Sequence, residues 1–125
     1  MRNAIIGMTF ALFPFVVQAA GDVTQGAAVF KKCAACHNVD KPENKIGPYL
    51  MGVVGRKAGS VESYPNYSDA MKKAGDRGLV WDDENLAQYL AAPAKFIPGN
   101  RMPFSGLKSP DDIANLEAFL KGAAK

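Results

Sequence analysis

The pentapeptide Cys33-Ala34-Ala35-Cys36-His37 constrains this chain more than any other segment. It holds both cysteines and the only histidine among 125 residues. The spacing Cys-x-x-Cys-His is the attachment pattern of c-type haem, in which the two thiols become thioethers on the porphyrin and the adjacent imidazole can reach the iron. We therefore expect Cys33 and Cys36 to hold one covalently attached haem c, with His37 as a ligand of its iron.

The same residues allow other interpretations, which are weaker. Two cysteines in an exported protein could form a plain disulfide, and this is the alternative that the residues alone leave open. A structural zinc site needs four Cys or His ligands, which this chain does not have. A thioredoxin-like redox pair belongs in a βαβ context, and the flanking residues show no strand pattern.

The first nineteen residues resemble a secretory signal peptide. Arg2 is their only charge, the stretch from Ala4 to Val17 is almost wholly apolar, and Val17-Gln18-Ala19 offers small residues for cleavage. A retained membrane anchor would need about twenty apolar residues, and Pro14 interrupts a shorter run. We expect residues 1–19 to be removed, or 1–20, and the mature chain to lie outside the cytoplasm.

Length and charge limit what the mature chain can be. Residues 20–125 are enough for one compact domain and too few for two. The formal net charge of +3 becomes +2 without Arg2, from 14 basic and 12 acidic residues. So small an excess argues against nucleic-acid binding, although a local basic patch could still meet an acidic protein.

A second axial ligand to the iron would distinguish an electron carrier from a haem protein with an open, reactive sixth position. Thioether sulfur opposite histidine fills the sixth position and raises the reduction potential. Met51 and Met71 lie in segments where a packing role is the simplest interpretation. Met102 lies in a stretch rich in proline and glycine, Pro93 to Gly106, that predicts an irregular loop. On the residues alone, packing remains the commoner role for such a methionine.

The remaining pattern predicts helices and requires no strand. A first helix begins at Asp22 or Thr24 and brings the attachment motif to its end. A middle helix runs from Asp82 or Asp83 to about Ala92 and is ended by Pro93. The last helix has Ser109 as N-cap, Pro110 at its first position and Gly122 as its stop. Its apolar face, which should pack on Gly26 and Phe30 of the first helix, comprises Ile113, Leu116, Phe119 and Leu120.

Over nearly the whole mature chain, the sequence resembles class I c-type cytochromes of the soluble bacterial cytochrome c2 and mitochondrial type. The matching segments, in chain order, are Gly26-x-x-x-Phe30, Cys33-Ala-Ala-Cys36-His37, Lys45-Ile-Gly-Pro48, Gly52-Val-Val-Gly-Arg56-Lys-Ala-Gly59, Tyr67-Ser-Asp-Ala70, Trp81, Tyr89-Leu90 with Pro93, and Phe96-Ile-Pro-Gly99-Asn-Arg-Met102. The resemblance implies an all-α, small single-domain cytochrome c fold, with N- and C-terminal helices packed crosswise and the haem in a loop-lined crevice.

The resemblance also assigns roles to particular residues. His37 and Met102 become the two axial ligands, and the carbonyl of Pro48 accepts a hydrogen bond from the imidazole. Tyr89 lies beside the Met102 sulfur. The residues that hydrogen-bond the haem propionates are Arg56, Tyr67, Trp81 and Asn100.

The function implied is that of an electron carrier and not an enzyme, exchanging electrons by outer-sphere transfer at one exposed haem edge. The implied location is the bacterial periplasm, and the partners are a cytochrome bc1 complex and an oxidase, reaction centre or dehydrogenase. A monomer is expected. The docking residues implied are Lys32, Lys45, Lys95, Arg101, Lys108 and Phe104. The rival interpretations are an enzyme or gas-binding haem protein with an open sixth position and a protein without haem that carries a disulfide.

Overall fold

Five α-helices and the turns between them form the part of the chain that the computed structural model describes, which is Gly7 and residues 21–123. Apart from Gly7, the predicted signal peptide lies outside the described residues. The helices are α1 (Val23–Phe30), α2 (Asp69–Asp76), α3 (Asp83–Ala91), α4 (Pro93–Phe96) and α5 (Pro110–Gly122). Within this part, β pairing is confined to an isolated bridge between Lys57 and Val80, so the all-α fold class is confirmed.

Side-chain caps fix where the longer helices begin. Asp22, Ser68, Asp82 and Ser109 each accept a hydrogen bond from the backbone N–H three residues further on. Such a bond satisfies one of the amides that a helix N-terminus leaves without a partner. The predicted starts of the first, middle and last helices are therefore confirmed.

The stretch from Pro93 to Gly106 differs in part from the predicted irregular loop. Pro93 ends α3, as expected, but it also opens the short helix α4. Proline suits the first position of a helix because its ring presets the backbone angle and its missing N–H would have no partner there. The chain is irregular from Ile97 onward, so the Met102 segment begins one helical turn later than the sequence indicates.

The packing of α1 against α5 closes the fold. Gly26 lies so close to α5 that an added Cβ would be 1.9 Å from the carbonyl oxygen of Asn115. Beside it, the rings of Phe30 and Phe119 contact each other at a tilt of 42°, with 5.3 Å between their centroids. Leu116 and Leu120 of α5 are only 1% and 2% exposed. The predicted partnership of the first and last helices is confirmed, and it leaves one side of α5 facing the interior of the protein.

Among the residues that the structure describes, no helix is long and apolar enough to cross a membrane.

Candidate haem site

A central crevice runs between the attachment motif, α3, α5 and the Met102 segment. Its back is apolar, with Leu86 and Tyr89 from α3 and Leu116 from α5. Every residue that the sequence assigned to cofactor binding or to the metal lines this crevice. They are Cys33, Cys36, His37, Pro48, Arg56, Tyr67, Trp81, Tyr89, Asn100 and Met102. Residues spread over 70 positions of the sequence thus meet around one cavity, although their roles there remain predictions.

The attachment motif continues the path of α1 as a series of helical turns. The amide of Cys33 donates to the carbonyl of Phe30 at 2.7 Å, and the amide of His37 donates to that of Cys33 at 2.9 Å. The two cysteines are partly buried and not joined to each other. Burial raises the pKa of the Cys33 thiol, with a smaller contribution from Cys36. The raised pKa favours the protonated thiol of Cys33 at the crevice wall.

The imidazole of His37 is fixed by a single backbone acceptor. Its Nδ1 lies 2.6 Å from the carbonyl oxygen of Pro48. Because a carbonyl can only accept, Nδ1 must carry the proton, which leaves the Nε2 lone pair free to bind a metal. Burial lowers the pKa of His37, and the cations of Arg56 and Lys45 act in the same direction against the effect of the Pro48 bond. The side chain is thus kept as the neutral tautomer that a metal needs.

Gly47 brings the Pro48 carbonyl to the histidine. An added Cβ at this position would be 2.4 Å from Cε1 of His37, so only glycine lets the backbone pass so close to the ring. The amide of Gly47 donates to the carbonyl of Cys36 at 2.8 Å. On the same segment, Lys45 Nζ donates to the carbonyl of Ala34 at 2.7 Å. The segment is therefore folded back onto the attachment motif and holds the imidazole in one orientation.

Asn100 orders the segment that carries Met102. Its Nδ2 donates to the carbonyls of Pro93 and Ile97, both at 2.9 Å, and its Oδ1 accepts from the amide of Met102. Both N–H donors of the Asn100 side chain are therefore used by backbone carbonyls, and its oxygen accepts one backbone N–H. The sequence analysis predicted that Asn100 binds a haem propionate. It did not predict that Asn100 orders the backbone around Met102.

Tyr89 meets the sulfur of Met102. The phenol oxygen lies 3.9 Å from Sδ, and the side chain is 7% exposed. Burial raises the pKa of Tyr89 to about 12, so the phenol stays protonated at physiological pH and acts as a donor. A sulfur that accepts this weak bond keeps a second lone pair for a metal. Tyr89 thus lies beside the Met102 sulfur, and the role of either residue toward a haem stays a prediction.

The three remaining predicted polar residues offer donors at the crevice. Arg56 donates once to the carbonyl of Tyr49, at 3.0 Å, and its other N–H groups have no protein partner among the described residues. The hydroxyl of Tyr67 accepts from the amide of Val61 at 3.1 Å and is left able to donate. Trp81 is buried, and its indole N–H finds no acceptor in the described part of the chain. Donors that face a cavity in this way suit anionic carboxylates.

Sequence reasoning missed several residues at the crevice. Tyr64 packs edge-on against Tyr67 with ring centroids 4.8 Å apart, and its hydroxyl donates to the carbonyl of Ile46. Ile46 lines the mouth and is 72% exposed. Met71, which the sequence assigned to packing, lines the crevice as well as touching the core. No sequence pattern assigns these side chains to the crevice. The fold of the chain from the attachment motif to the first turns of α2 brings them here.

These features fit a haem held by two thioethers. The donor set comprises two unjoined thiols, an imidazole with a free Nε2 and a thioether with a free lone pair, all at one largely apolar cavity. Histidine and methionine are among the side chains that ligate haem iron in proteins, and together they are the pair found in cytochromes c. The fold and the crevice therefore define a small all-helical protein built around one covalently attached haem.

Comparisons with known proteins agree with this class. The profile of the family described as Cytochrome c matches residues 23–124. Cytochrome c2 of Agrobacterium tumefaciens (strain II Chrys) is 50% identical over 101 residues, which cover 80% of this chain and 90% of that protein. Cytochrome c-550 of Ancylobacter novellus is 49% identical over 98 residues, which cover 78% and 91%. The solved structure of cytochrome cH from Methylobacterium extorquens aligns with a TM-score of 0.74 at 44% identity, covering 82% of this chain and 99% of that one.

The chain belongs to the cytochrome c family. Its cofactor is haem c, covalently attached, and its activity is that of an electron carrier and not of an enzyme.

Proposed function

We propose that this protein shuttles single electrons between periplasmic or membrane-bound redox proteins by outer-sphere transfer at an exposed haem edge. In this proposal Cys33 and Cys36 form the thioethers, and His37 and Met102 are the axial ligands. Haem c supplies an iron that takes up and releases one electron. The observation that carries the proposal is the fixed pair of donors, the free Nε2 of His37 and the Met102 sulfur, at one apolar crevice.

The chain's own contribution is to hold both donors still. Pro48 fixes the tautomer of His37, and Asn100 and Tyr89 fix the position of the Met102 sulfur. Ligands that keep their positions need little rearrangement when the charge changes by one unit. Occupation of both axial positions would also exclude small molecules, which favours a carrier over an enzyme or gas-binding protein with an open position.

A ring of exposed cations supports docking on an acidic partner. We call Lys32, Lys45, Lys95, Arg101 and Lys108 the basic ring. None of its members pairs with a carboxylate among the described residues, and Lys45, Arg101 and Lys108 are each anchored on a backbone carbonyl. Cations that are anchored but unneutralised can steer an oppositely charged protein toward the crevice. Phe104 lines the crevice, as Lys32 and Arg101 do, and would add apolar contact.

The proposed location is the bacterial periplasm, reached through cleavage of residues 1–19 or 1–20. The relatives from Agrobacterium tumefaciens and Ancylobacter novellus are bacterial, and the apolar character of the first nineteen residues supports export. The proposed donor is a cytochrome bc1 complex. An oxidase, a photosynthetic reaction centre or a periplasmic dehydrogenase would be the acceptor, in a respiratory or photosynthetic chain.

Replacement of Met102 tests the ligand assignment. In Met102→Ala we expect loss of the six-coordinate low-spin spectrum and a potential lower by on the order of 0.2 V, because axial ligands set haem potentials over a span of about 0.8 V. Met71→Ala is the matched control, since Met71 also lines the crevice. If Met102→Ala kept the wild-type spectrum and potential, the assignment would be wrong.

Partner kinetics test the rest of the proposal. The rate at which membranes containing a bc1 complex reduce the protein should fall as ionic strength rises, because salt screens the basic ring. Charge reversal at Lys32 should weaken that dependence, whereas charge reversal at the exposed Lys57, outside the ring, should leave it unchanged. A rate that does not respond to salt or to Lys32 would contradict docking at this face.

A further inference from the structure

A second cavity, of about 400 Å³, lies apart from the central crevice. It opens between α2, α3 and the segment from Phe96 to Pro98, and it shares no lining residue with the crevice. Its volume falls in the range of small-molecule sites, which is about 300–1,000 Å³. Electron transfer as proposed above makes no use of it.

The cavity exists because of one face of α2 and the residue that caps it. Ala70, Ala74 and Arg77 follow one another at intervals of four and three residues, so they line the same side of the helix. The two alanines are too short to fill the space in front of them. Leu79 and Phe96 supply further apolar walls. The result is a recess with an apolar body, and Arg77 is the one charged residue on the part of its lining that the structure describes.

Arg77 is free to bind a ligand. Its guanidinium has no carboxylate or hydrogen-bond partner among the described residues, although guanidinium presents a planar fork of donors that matches a carboxylate. Among the described residues of the lining, the only other polar side chain is Asn85, whose Nδ2 donates to the carbonyl of Val80 at 3.0 Å. The Oδ1 of Asn85 is left as an acceptor and would repel a second negative group.

We propose that this cavity, the Arg77 cavity, binds a small monocarboxylate with a hydrocarbon body. The carboxylate pairs with the Arg77 fork, and the hydrocarbon lies against Leu79 and Phe96. One cation balances one negative charge, whereas a phosphate dianion would place an uncompensated charge against apolar walls, which is costly. A neutral apolar molecule would leave the guanidinium fork unused. The charge and the wall chemistry together therefore select a monoanion.

The test is an NMR titration of the haem-loaded, reduced protein with sodium hexanoate at constant ionic strength. We expect saturable shifts of the backbone amides of Arg77 to Leu79 and of Phe96 and Ile97. Sodium acetate, which lacks the hydrocarbon, and 1-hexanol, which lacks the charge, should bind more weakly. Arg77→Gln should weaken hexanoate binding about threefold, the size expected of an exposed ion pair. Lys73→Gln, at an exposed position one turn earlier on α2, should not.

Three results would overturn the proposal. The first is hexanoate that produces no saturable shift at these amides. The second is hexanol that binds as tightly as hexanoate, which would mean that the charge of Arg77 is not used. The third is equal weakening by Arg77→Gln and Lys73→Gln, which would reduce the effect to general electrostatics. Each result is independent of whether Met102 is an axial ligand.

Discussion

The phenol oxygen of Tyr89 lies 3.9 Å from the sulfur of Met102, and the two residues come from different elements, α3 and the segment after α4. With its pKa raised to about 12 by burial, the phenol is a donor at every physiological pH. A bond from this donor withdraws electron density from the sulfur. The protein can therefore tune the donor strength of a proposed iron ligand without touching the iron.

Tyr89→Phe should accordingly lower the reduction potential. Without the hydroxyl of Tyr89, the sulfur of Met102 would donate more strongly to iron and would favour the ferric state. We expect a fall on the order of 30 mV, since one weak hydrogen bond is involved and 59 mV corresponds to a tenfold change for one electron. Spectroelectrochemical titration measures it. Tyr49→Phe is the control, because Tyr49 does not line the crevice. An unchanged or higher potential in Tyr89→Phe would contradict this role.

Asn100→Ala should loosen the Met102 segment. The substitution removes the bonds to the carbonyls of Pro93 and Ile97 and to the amide of Met102. Since Asn100 is partly exposed and water can replace some of these bonds, we expect a loss of about 1–2 kcal/mol of unfolding free energy. Added imidazole should also displace the sulfur more easily, by about tenfold. Guanidinium denaturation and an imidazole titration measure the two effects. Ser105→Ala, in the same segment, should change neither.

Gly26→Ala should destabilise the contact between α1 and α5. The new Cβ would be 1.9 Å from the carbonyl oxygen of Asn115 and 2.7 Å from Cβ of Phe119, so the helices must move apart. We expect overpacking to lower the free energy of unfolding by up to about 3 kcal/mol, even though alanine is the better helix former. Gly122→Ala is the matched control in α5, since nothing lies within 4 Å of its added Cβ. If thermal unfolding showed the same stability for Gly26→Ala and Gly122→Ala, the close approach of α1 and α5 would be contradicted.

Glu117→Gln should stabilise the protein above neutral pH. Burial, together with the nearby carboxylate of Asp83, raises the pKa of Glu117 to about 7. One of its oxygens is buried without a hydrogen-bond partner in the described part. Lys121, one turn along α5, bonds Asp83 at 2.6 Å and lowers the pKa of Glu117 only in part. The native state therefore holds a proton that the unfolded chain releases.

The sign of the pH dependence follows from this raised pKa. The contribution of protonated Glu117 is fully present below the unfolded pKa of about 4.3. It is lost as the pH rises toward the folded value of about 7. The advantage of Glu117→Gln should be larger at pH 8 than at pH 5, by about 1 kcal/mol after allowance for solvent screening of a partly exposed group. Denaturation at the two pH values measures it, with exposed Glu62→Gln as control. If Glu117→Gln changed the free energy of unfolding equally at pH 5 and pH 8, the raised pKa assigned to Glu117 would be contradicted.

Several features of this protein could be predicted from its sequence because they depend on local chemistry. Asp22, Asp82 and Ser109 mark helix starts because a short polar side chain can satisfy an amide three residues on. The attachment motif specifies its cofactor because the two thiols and the imidazole are adjacent in the chain. The pairing of α1 with α5 was predictable from the apolar face of one helix and the small Gly26 of the other. The helix starts and the attachment motif depend on neighbours within a few residues, whereas the pairing of α1 with α5 depends on the matching faces of two distant helices.

Tertiary structure decided those contacts between distant segments that no sequence pattern marks. No local pattern shows that Asn100 bonds the backbone on both sides of itself, that Ile46 stays exposed at the mouth of the crevice, or that Met71 lines it. The Arg77 cavity likewise requires α2 to lie beside Phe96, twenty-two residues after Ala74. Such contacts arise because loops without periodicity are positioned by the core they cover, and the packing of that core is a property of the whole chain.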